Sequence, residues 1–109
     1  MNSAKEFNFN NVEYKFRAKN GTVYLNHSHQ VYIRRAGWFD TPYQWVTRGP
    51  QYFKVNEIEE VILKEPDMMR GYLDFKLKDG RKARVWLTRP GYVPMAEKMK
   101  QLVERQMKK

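Results

Sequence analysis

The sequence predicts a mainly β domain that ends in one α-helix. Two hairpins carry this prediction, one turning at Asn20-Gly21 and the other at Asp79-Gly80. The third observation is an amphipathic segment, residues 94–107, near the end of the chain. Several short strands followed by one amphipathic helix are typical of a bent antiparallel sheet, or of a partly open barrel that a helix caps.

The first hairpin begins where apolar and charged residues start to alternate, at Val12. An alternation of period two indicates a half-buried strand. Asn20-Gly21 suits a type I′ turn, because both residues tolerate positive φ. A two-residue turn at this dipeptide predicts that Phe16 faces Leu25 on the apolar side of the hairpin.

The second hairpin shows the clearest alternation. A three-residue loop that ends at Gly80, in the left-handed region, aligns its two alternating sets. This alignment predicts that Phe75 faces Ala83 on the inner side and that Asp74 faces Arg84 on the outer side. An exposed pair of opposite charges contributes at most about 1 kcal/mol to stability.

Three further strands and the helix complete the predicted fold. The strands are expected at residues 31–33, 52–55 and 60–63. Pro94 suits the first turn of the helix, where the missing N–H costs nothing. Apolar residues then recur at helical spacing, so the helix is expected to cover the core. The residues predicted to be buried are Phe16, Leu25, Ile33, Phe75, Val85 and Leu102.

Length and composition predict one domain. The chain has 109 residues, and its 41% hydrophobic content is enough for one modest core. Residues 1–11 carry little pattern, so we expect a flexible arm there and a domain over residues 12–109. The start of the chain lacks an apolar signal-peptide core, and no apolar run approaches the roughly 18 residues of a membrane span. We therefore expect a cytoplasmic protein, either free or peripheral at a membrane.

The charge is strongly positive and unevenly distributed. The chain has a net charge of +9, and residues 76–109 hold eleven bases against three acids, which leaves +8. Such asymmetry favours anionic partners, namely nucleic acid, anionic lipid or an acidic protein face. The alternative is a basic surface that only keeps the protein soluble.

Four segments in order resemble a known fold family. They are residues 19–25, 31–35, 49–61 and 71–75. Their strands and glycines, followed by the helix, are similar to the short bacterial pleckstrin-homology-like domains over roughly residues 16–107. The resemblance implies an interaction scaffold rather than an enzyme, and it implies no common ligand.

Residues suited to catalysis or metal binding are few. His27 and His29 flank Ser28 in a predicted turn, and no third or fourth metal ligand is evident beside them. Ser3 and Ser28 are the only serines, and no cysteine is present, so no nucleophile with a positioned base stands out. No glycine-rich phosphate loop occurs. We therefore predict no enzyme activity, no cofactor and no metal.

The first candidate surface is an aromatic and basic segment of fifteen residues. Trp, Tyr and Arg are the usual anchors of protein interfaces, and the same residues can stack single-stranded bases. The alternative is that the two tryptophans fill the core of a small domain. We expect a protein partner or self-association here, through Arg34, Arg35, Trp38, Phe39, Tyr43, Trp45 and Arg48.

The second candidate surface is the basic outer face of the second hairpin. Lys76 stands opposite Lys82, a like-charge pair that costs stability unless solvent or a bound anion compensates. The alternative is structural: lysines on an edge strand prevent that strand from pairing with another chain. This face predicts weak binding of nucleic acid or of an anionic membrane surface, through Lys76, Lys78, Arg81, Lys82 and Arg84.

Overall fold

The computed structural model describes residues 6–18, 21–35, 51–65, 71–87 and 89–108. These residues form two antiparallel sheets and a C-terminal helix, with strand orders β1-β2-β3-β4 and β5-β6-β7. The predicted fold class is confirmed: the protein is mainly β with a C-terminal helix, and its two sheets do not close into a barrel.

Each strand is short. The bounds are β1 Val12–Ala18, β2 Gly21–Asn26, β3 Gln30–Arg35, β4 Tyr52–Lys54, β5 Ile58–Lys64, β6 Gly71–Leu77 and β7 Lys82–Leu87. The helix α1 spans Val93–Met107. Short 3₁₀ turns precede β1, β5 and α1. No helix among the described residues has the length and apolar character of a membrane span.

The β6–β7 hairpin has the predicted register and the predicted loop. Phe75 pairs with Ala83. The Leu77 N–H donates to the Arg81 carbonyl at 2.8 Å, and the Gly80 N–H donates to the Leu77 carbonyl at 3.0 Å. Gly80 has a φ of 95°, a backbone angle that residues other than glycine adopt only with strain. The loop therefore contains three residues.

The β1–β2 register differs from the prediction by two residues. Phe16 pairs with Val23 rather than with Leu25, and Ala18 pairs with Gly21. Gly21 is thus the first residue of β2 and not part of the turn, while residues 19 and 20 lie outside the described residues. A slip of two residues leaves every side chain on its original face. The apolar pattern is satisfied by both registers, which is why it did not distinguish them.

The core lies between the two sheets, and α1 covers it. All six residues predicted to be buried are buried. The rings of Phe53 on β4 and Phe75 on β6 join the sheets, with centroids 5.4 Å apart. The helix begins with Pro94 in its first turn and buries Met99 and Leu102 in the same core. Burying an aliphatic or aromatic side chain of this size contributes about 1.5–3 kcal/mol.

Candidate interaction surfaces

Most of the predicted partner-binding segment falls between β3 and β4, where residues 36–50 lie outside the described residues. Arg34 is exposed near the end of β3, and Arg35 is the last residue of that strand. The partner-binding role of this segment stays a prediction for Arg34, Arg35, Trp38, Phe39, Tyr43, Trp45 and Arg48.

The outer face of the first sheet carries tyrosines between bases. The core residues of β1, β2 and β3 alternate with residues that point away from the core. One cross-strand row on this outer face runs from Lys15 through Tyr24 to Tyr32, and its neighbour runs from Arg17 through Thr22 to Arg34. Lys15, Arg17 and Arg34 are all exposed.

Two phenylalanines from the N-terminal segment pack onto these tyrosines and complete what we call the aromatic cluster: Phe7, Phe9, Tyr24 and Tyr32. The two tyrosine rings stack with centroids 6.0 Å apart. Phe9 meets Tyr24 edge-on at 5.5 Å and Tyr32 edge-on at 5.7 Å. Phe7 is buried, whereas Phe9 stays 47% exposed. Ring pairs of this kind contribute about 0.5–1.5 kcal/mol beyond the area that they bury.

Two amide side chains attach the N-terminal segment to the first sheet. The Asn26 amide nitrogen donates to the Asn8 carbonyl at 3.0 Å and to Gln30 Oε1 at 2.8 Å. Gln30 Nε2 donates in turn to the Glu6 carbonyl at 3.2 Å and to the Tyr52 hydroxyl at 3.0 Å. Within residues 6–11, the part of the expected arm that the structure describes, the chain is therefore hydrogen-bonded and packed. The domain boundary at residue 12 stays a prediction.

A groove opens beside Phe9, with a volume of about 560 Å³. The carboxylate of Glu13 accepts hydrogen bonds from Arg105 and Gln106 of α1, so its charge is already compensated inside the fold. Lys15 brings an exposed positive charge to the same groove. The residues that line the groove are Phe9, Val12, Glu13, Tyr14, Lys15 and Tyr24.

The basic hairpin face is less positive than its sequence suggests. Lys76 Nζ lies 3.9 Å from Glu59, and Arg81 Nε lies 2.7 Å from Asp79. Asp74 accepts from Arg84 and also lies 3.9 Å from Lys82 Nζ. Five bases against three acids leave a local charge of +2 over these residues: Glu59, Asp74, Lys76, Lys78, Asp79, Arg81, Lys82 and Arg84.

The Asp74–Arg84 pair has the predicted register, but it is not the exposed pair that the sequence indicated. The Asp74 side chain is only 1% exposed, and that of Arg84 is 26% exposed. The Arg84 guanidinium carbon lies 3.9 Å from the centroid of the Tyr72 ring and 5.0 Å from that of Trp86. The hydrogen bond to Asp74 raises the pKa of Arg84, against the opposing effect of burial. Arg84 therefore serves the fold as a partner for a buried acid.

The two histidines lie where the sequence predicted, in the β2–β3 turn. His27 Nδ1 lies 3.8 Å from Glu13, and the His27 side chain is mostly exposed. His29 adopts a φ of 61°. Within the described ranges, no group of three or more His, Cys, Asp or Glu side chains is arranged to hold a metal ion.

The profile of one protein family matches residues 27–103. That family is described as a domain of unknown function, DUF4429. The chain belongs to the DUF4429 family. The DUF4429 match begins after β2, so the aromatic cluster joins Tyr32 from inside the matched range to Phe7, Phe9 and Tyr24 from outside it. No curated protein and no solved structure matches the chain.

Proposed function

We propose that this protein is a non-catalytic binding or assembly module that acts through protein–protein contacts, including self-association. The observation that carries the proposal is Phe9, an aromatic ring left 47% exposed above Tyr24 and Tyr32 and beside an open groove. Aromatic residues are frequent anchors of protein interfaces.

The position of Arg34 connects this surface with the predicted partner-binding segment. Arg34 follows Tyr32 by two residues on β3, so both side chains lie on the outer face of the first sheet. The chain then continues into residues 36–50, which contain the predicted aromatic anchors. We propose that the aromatic cluster and this segment contribute to one protein-binding surface.

We also propose a pleckstrin-homology-like architecture for the domain. A four-stranded sheet, a three-stranded sheet and a C-terminal helix follow one another in this order along the chain. The order of strands followed by one helix supports the bent antiparallel sheet with a capping helix that the sequence resemblance implies. A scaffold of that kind supports a binding role, because its exposed faces remain available to partners while the helix covers the core.

The net charge of +9 favours a second candidate function, weak binding of nucleic acid or of an anionic membrane surface. The residues concerned are Lys76, Lys78, Arg81, Lys82 and Arg84. Four of them, Lys76, Arg81, Lys82 and Arg84, lie beside acids, which counts against this candidate. It stays the alternative to a protein partner.

The proposal is tested by the mass of the protein in solution at low and at high salt. We expect concentration-dependent oligomers or complexes that survive high salt, because apolar contacts are not screened. Phe9→Ser should reduce this association, whereas Gln101→Ser, on the exposed face of α1, should leave it unchanged. A monomer that retains nucleic acid through purification, and loses it in high salt, would favour the second candidate instead.

A further inference from the structure

We infer that the outer face of the first sheet binds an acidic peptide segment, which inserts one apolar side chain into the groove beside Phe9. The inference rests on the proposed function and specifies the chemistry of the protein partner. It combines three observations: a groove with aromatic residues in its lining, exposed bases along it, and an acid whose charge is already compensated.

The groove suits a single large side chain. Its volume of about 560 Å³ is more than one aromatic side chain fills, so the groove has room for such a side chain. Three of its lining residues are aromatic: Phe9, Tyr14 and Tyr24. Because Phe9 is held by Phe7 and both tyrosines, its ring is already ordered, and a partner does not have to immobilise it.

The charges beside the groove select an acidic partner. Lys15 belongs to the groove, and Arg17 is the next outward-facing residue along β1. Arg34 lies on the same face across β2, with Thr22 between it and Arg17. The one acid of the groove, Glu13, is bound by Arg105. An Asp or Glu residue next to the inserted side chain, on the side of Arg17 and Arg34, therefore meets positive charge.

Two other occupants fit this face less well. A second copy of the chain also has a net charge of +9, so self-association at this face works against charge repulsion, whereas an acidic peptide gains attraction. Single-stranded nucleic acid binds through successive open ring faces, but Tyr24 and Tyr32 already contact each other and both phenylalanines. A peptide needs only one anchor and flanking charges, which is what this surface offers.

The experiment is a selection of random peptides of about twelve residues, displayed on phage, against the purified protein. We expect the enriched peptides to carry a Phe, Trp or Leu flanked by Asp or Glu. Synthetic copies of the two most enriched peptides, labelled with a fluorophore, then provide the dissociation constant by anisotropy. A version with each acid replaced by its amide should bind at least about tenfold more weakly.

Variants of the surface locate the site. Phe9→Ser should weaken binding of the labelled peptides by about tenfold or more, since it removes the anchor's main contact. Lys15→Glu combined with Arg17→Glu should weaken peptide binding similarly. Added salt should weaken peptide binding to the wild type, whereas it should strengthen peptide binding to this variant. Lys78→Glu combined with Lys98→Glu is the matched control, with the same change of net charge on other elements, and should bind as the wild type does. Circular dichroism checks that each variant is folded. If Phe9→Ser does not fold, the charge variants still test the inference.

Each other outcome overturns the inference. An acidic peptide partner is rejected if the enriched peptides carry no acids, or if Lys15→Glu with Arg17→Glu leaves peptide binding unchanged. It is also rejected if labelled oligo(dT) binds more tightly at the same face. Mass in solution separates the two proposals. A salt-resistant oligomer that selects no acidic peptide removes this inference alone, whereas a monomer that selects no peptide removes both.

Discussion

Arg84 donates from Nε and Nη2 to the two carboxylate oxygens of Asp74, at 2.8 and 2.9 Å across the β6–β7 hairpin. The two partners are not equivalent, because Asp74 is buried whereas Arg84 is partly exposed. Removing Arg84 leaves a carboxylate in the interior, and among the described residues Lys82, at 3.9 Å, is the cation that remains near it. Removing Asp74 leaves a guanidinium that water reaches and that still lies over Tyr72.

Arg84→Met should therefore destabilise the protein more than Asp74→Asn does. Breaking a buried ion pair from one side costs about 3–5 kcal/mol, and we expect about 3 kcal/mol for Arg84→Met because Lys82 compensates in part. Asp74→Asn should cost about 1.5 kcal/mol, the lower end of the range for hydrogen bonds to charged groups, because water reaches the Arg84 that remains. Equilibrium unfolding in urea measures both. Arg81→Met is the control and should have little effect, since Arg81 and Asp79 are an exposed pair. If Arg84→Met and Asp74→Asn lower the free energy of unfolding equally, the two partners of the ion pair are equivalent and the prediction is wrong.

Leu102→Ala should cost about 2–5 kcal/mol, because it opens a cavity where α1 packs on the core. Gln101→Ala, at the neighbouring exposed position, should change the free energy of unfolding by less than about 0.5 kcal/mol. Thermal and denaturant unfolding of the two variants provide the comparison. If Leu102→Ala behaves like its control, the helix does not contribute to the core.

The stability of the β6–β7 loop should fall in acid through Asp79. The hydrogen bond from the Arg81 backbone N–H lowers the pKa of Asp79, and the Arg81 side chain lowers it further. A lowered pKa in the folded protein stabilises it above the unfolded value, about 3.9, and this contribution is lost as the pH falls through the folded value. An NMR titration of the Asp79 carboxyl carbon should show a midpoint below the ordinary one. Arg81→Gly removes the side chain but keeps the backbone N–H, so the midpoint should move only part of the way toward the ordinary value. A complete return to the ordinary value would contradict the backbone hydrogen bond as the main cause.

At least one of Trp38, Phe39 and Trp45 should be exposed in the monomer and belong to the partner surface. Acrylamide quenching of each tryptophan, with the other tryptophans replaced by Phe, tests this expectation. An exposed ring should be quenched nearly as efficiently as free tryptophan and should be protected when partner or peptide binds. If Trp38 and Trp45 are both shielded from acrylamide in a monomer, they pack in the core instead.

If the basic hairpin binds nucleic acid, its affinity should fall steeply with salt. Replacing Lys76, Lys78 and Lys82 with Gln should flatten the log–log salt slope by about two units, since each lost phosphate contact removes about 0.7–0.9. Arg84 is kept because it holds Asp74. The control variant replaces Lys54, Lys98 and Lys108, which are exposed on other elements. Binding weaker than about 10⁻⁴ M at physiological salt would leave the charge of this face as a solubility device.

Features that depend on near neighbours in the chain were predictable from the sequence. The β6–β7 register followed from the loop that ends at Gly80, because a three-residue loop, unlike a two-residue loop, keeps the apolar residues of both strands on the same face. The spacing of Met99 and Leu102 likewise identified the buried side of α1. In these elements the local pattern and the global fold impose the same requirement.

The candidate site was less predictable, because its residues come from separate parts of the chain. The segment with Phe7 and Phe9 shows no strand or helix period, so its sequence indicates a loose arm. The spacing of the two rings, on alternate residues among asparagines, was the only signal. Their partners on β2 and β3 become apparent only once the strands are paired.

By itself, the sequence determined which segments are strands, which segment is the helix, and which face of each is apolar. These properties are read from side chains a few residues apart, whose period equals that of the backbone. Tertiary structure alone decided the β1–β2 register, the burial of Asp74 and the contact between Arg105 and Glu13, which are 92 residues apart. Such features depend on which surfaces meet after folding, and a pattern that repeats every two or every 3.6 residues carries no information about that choice.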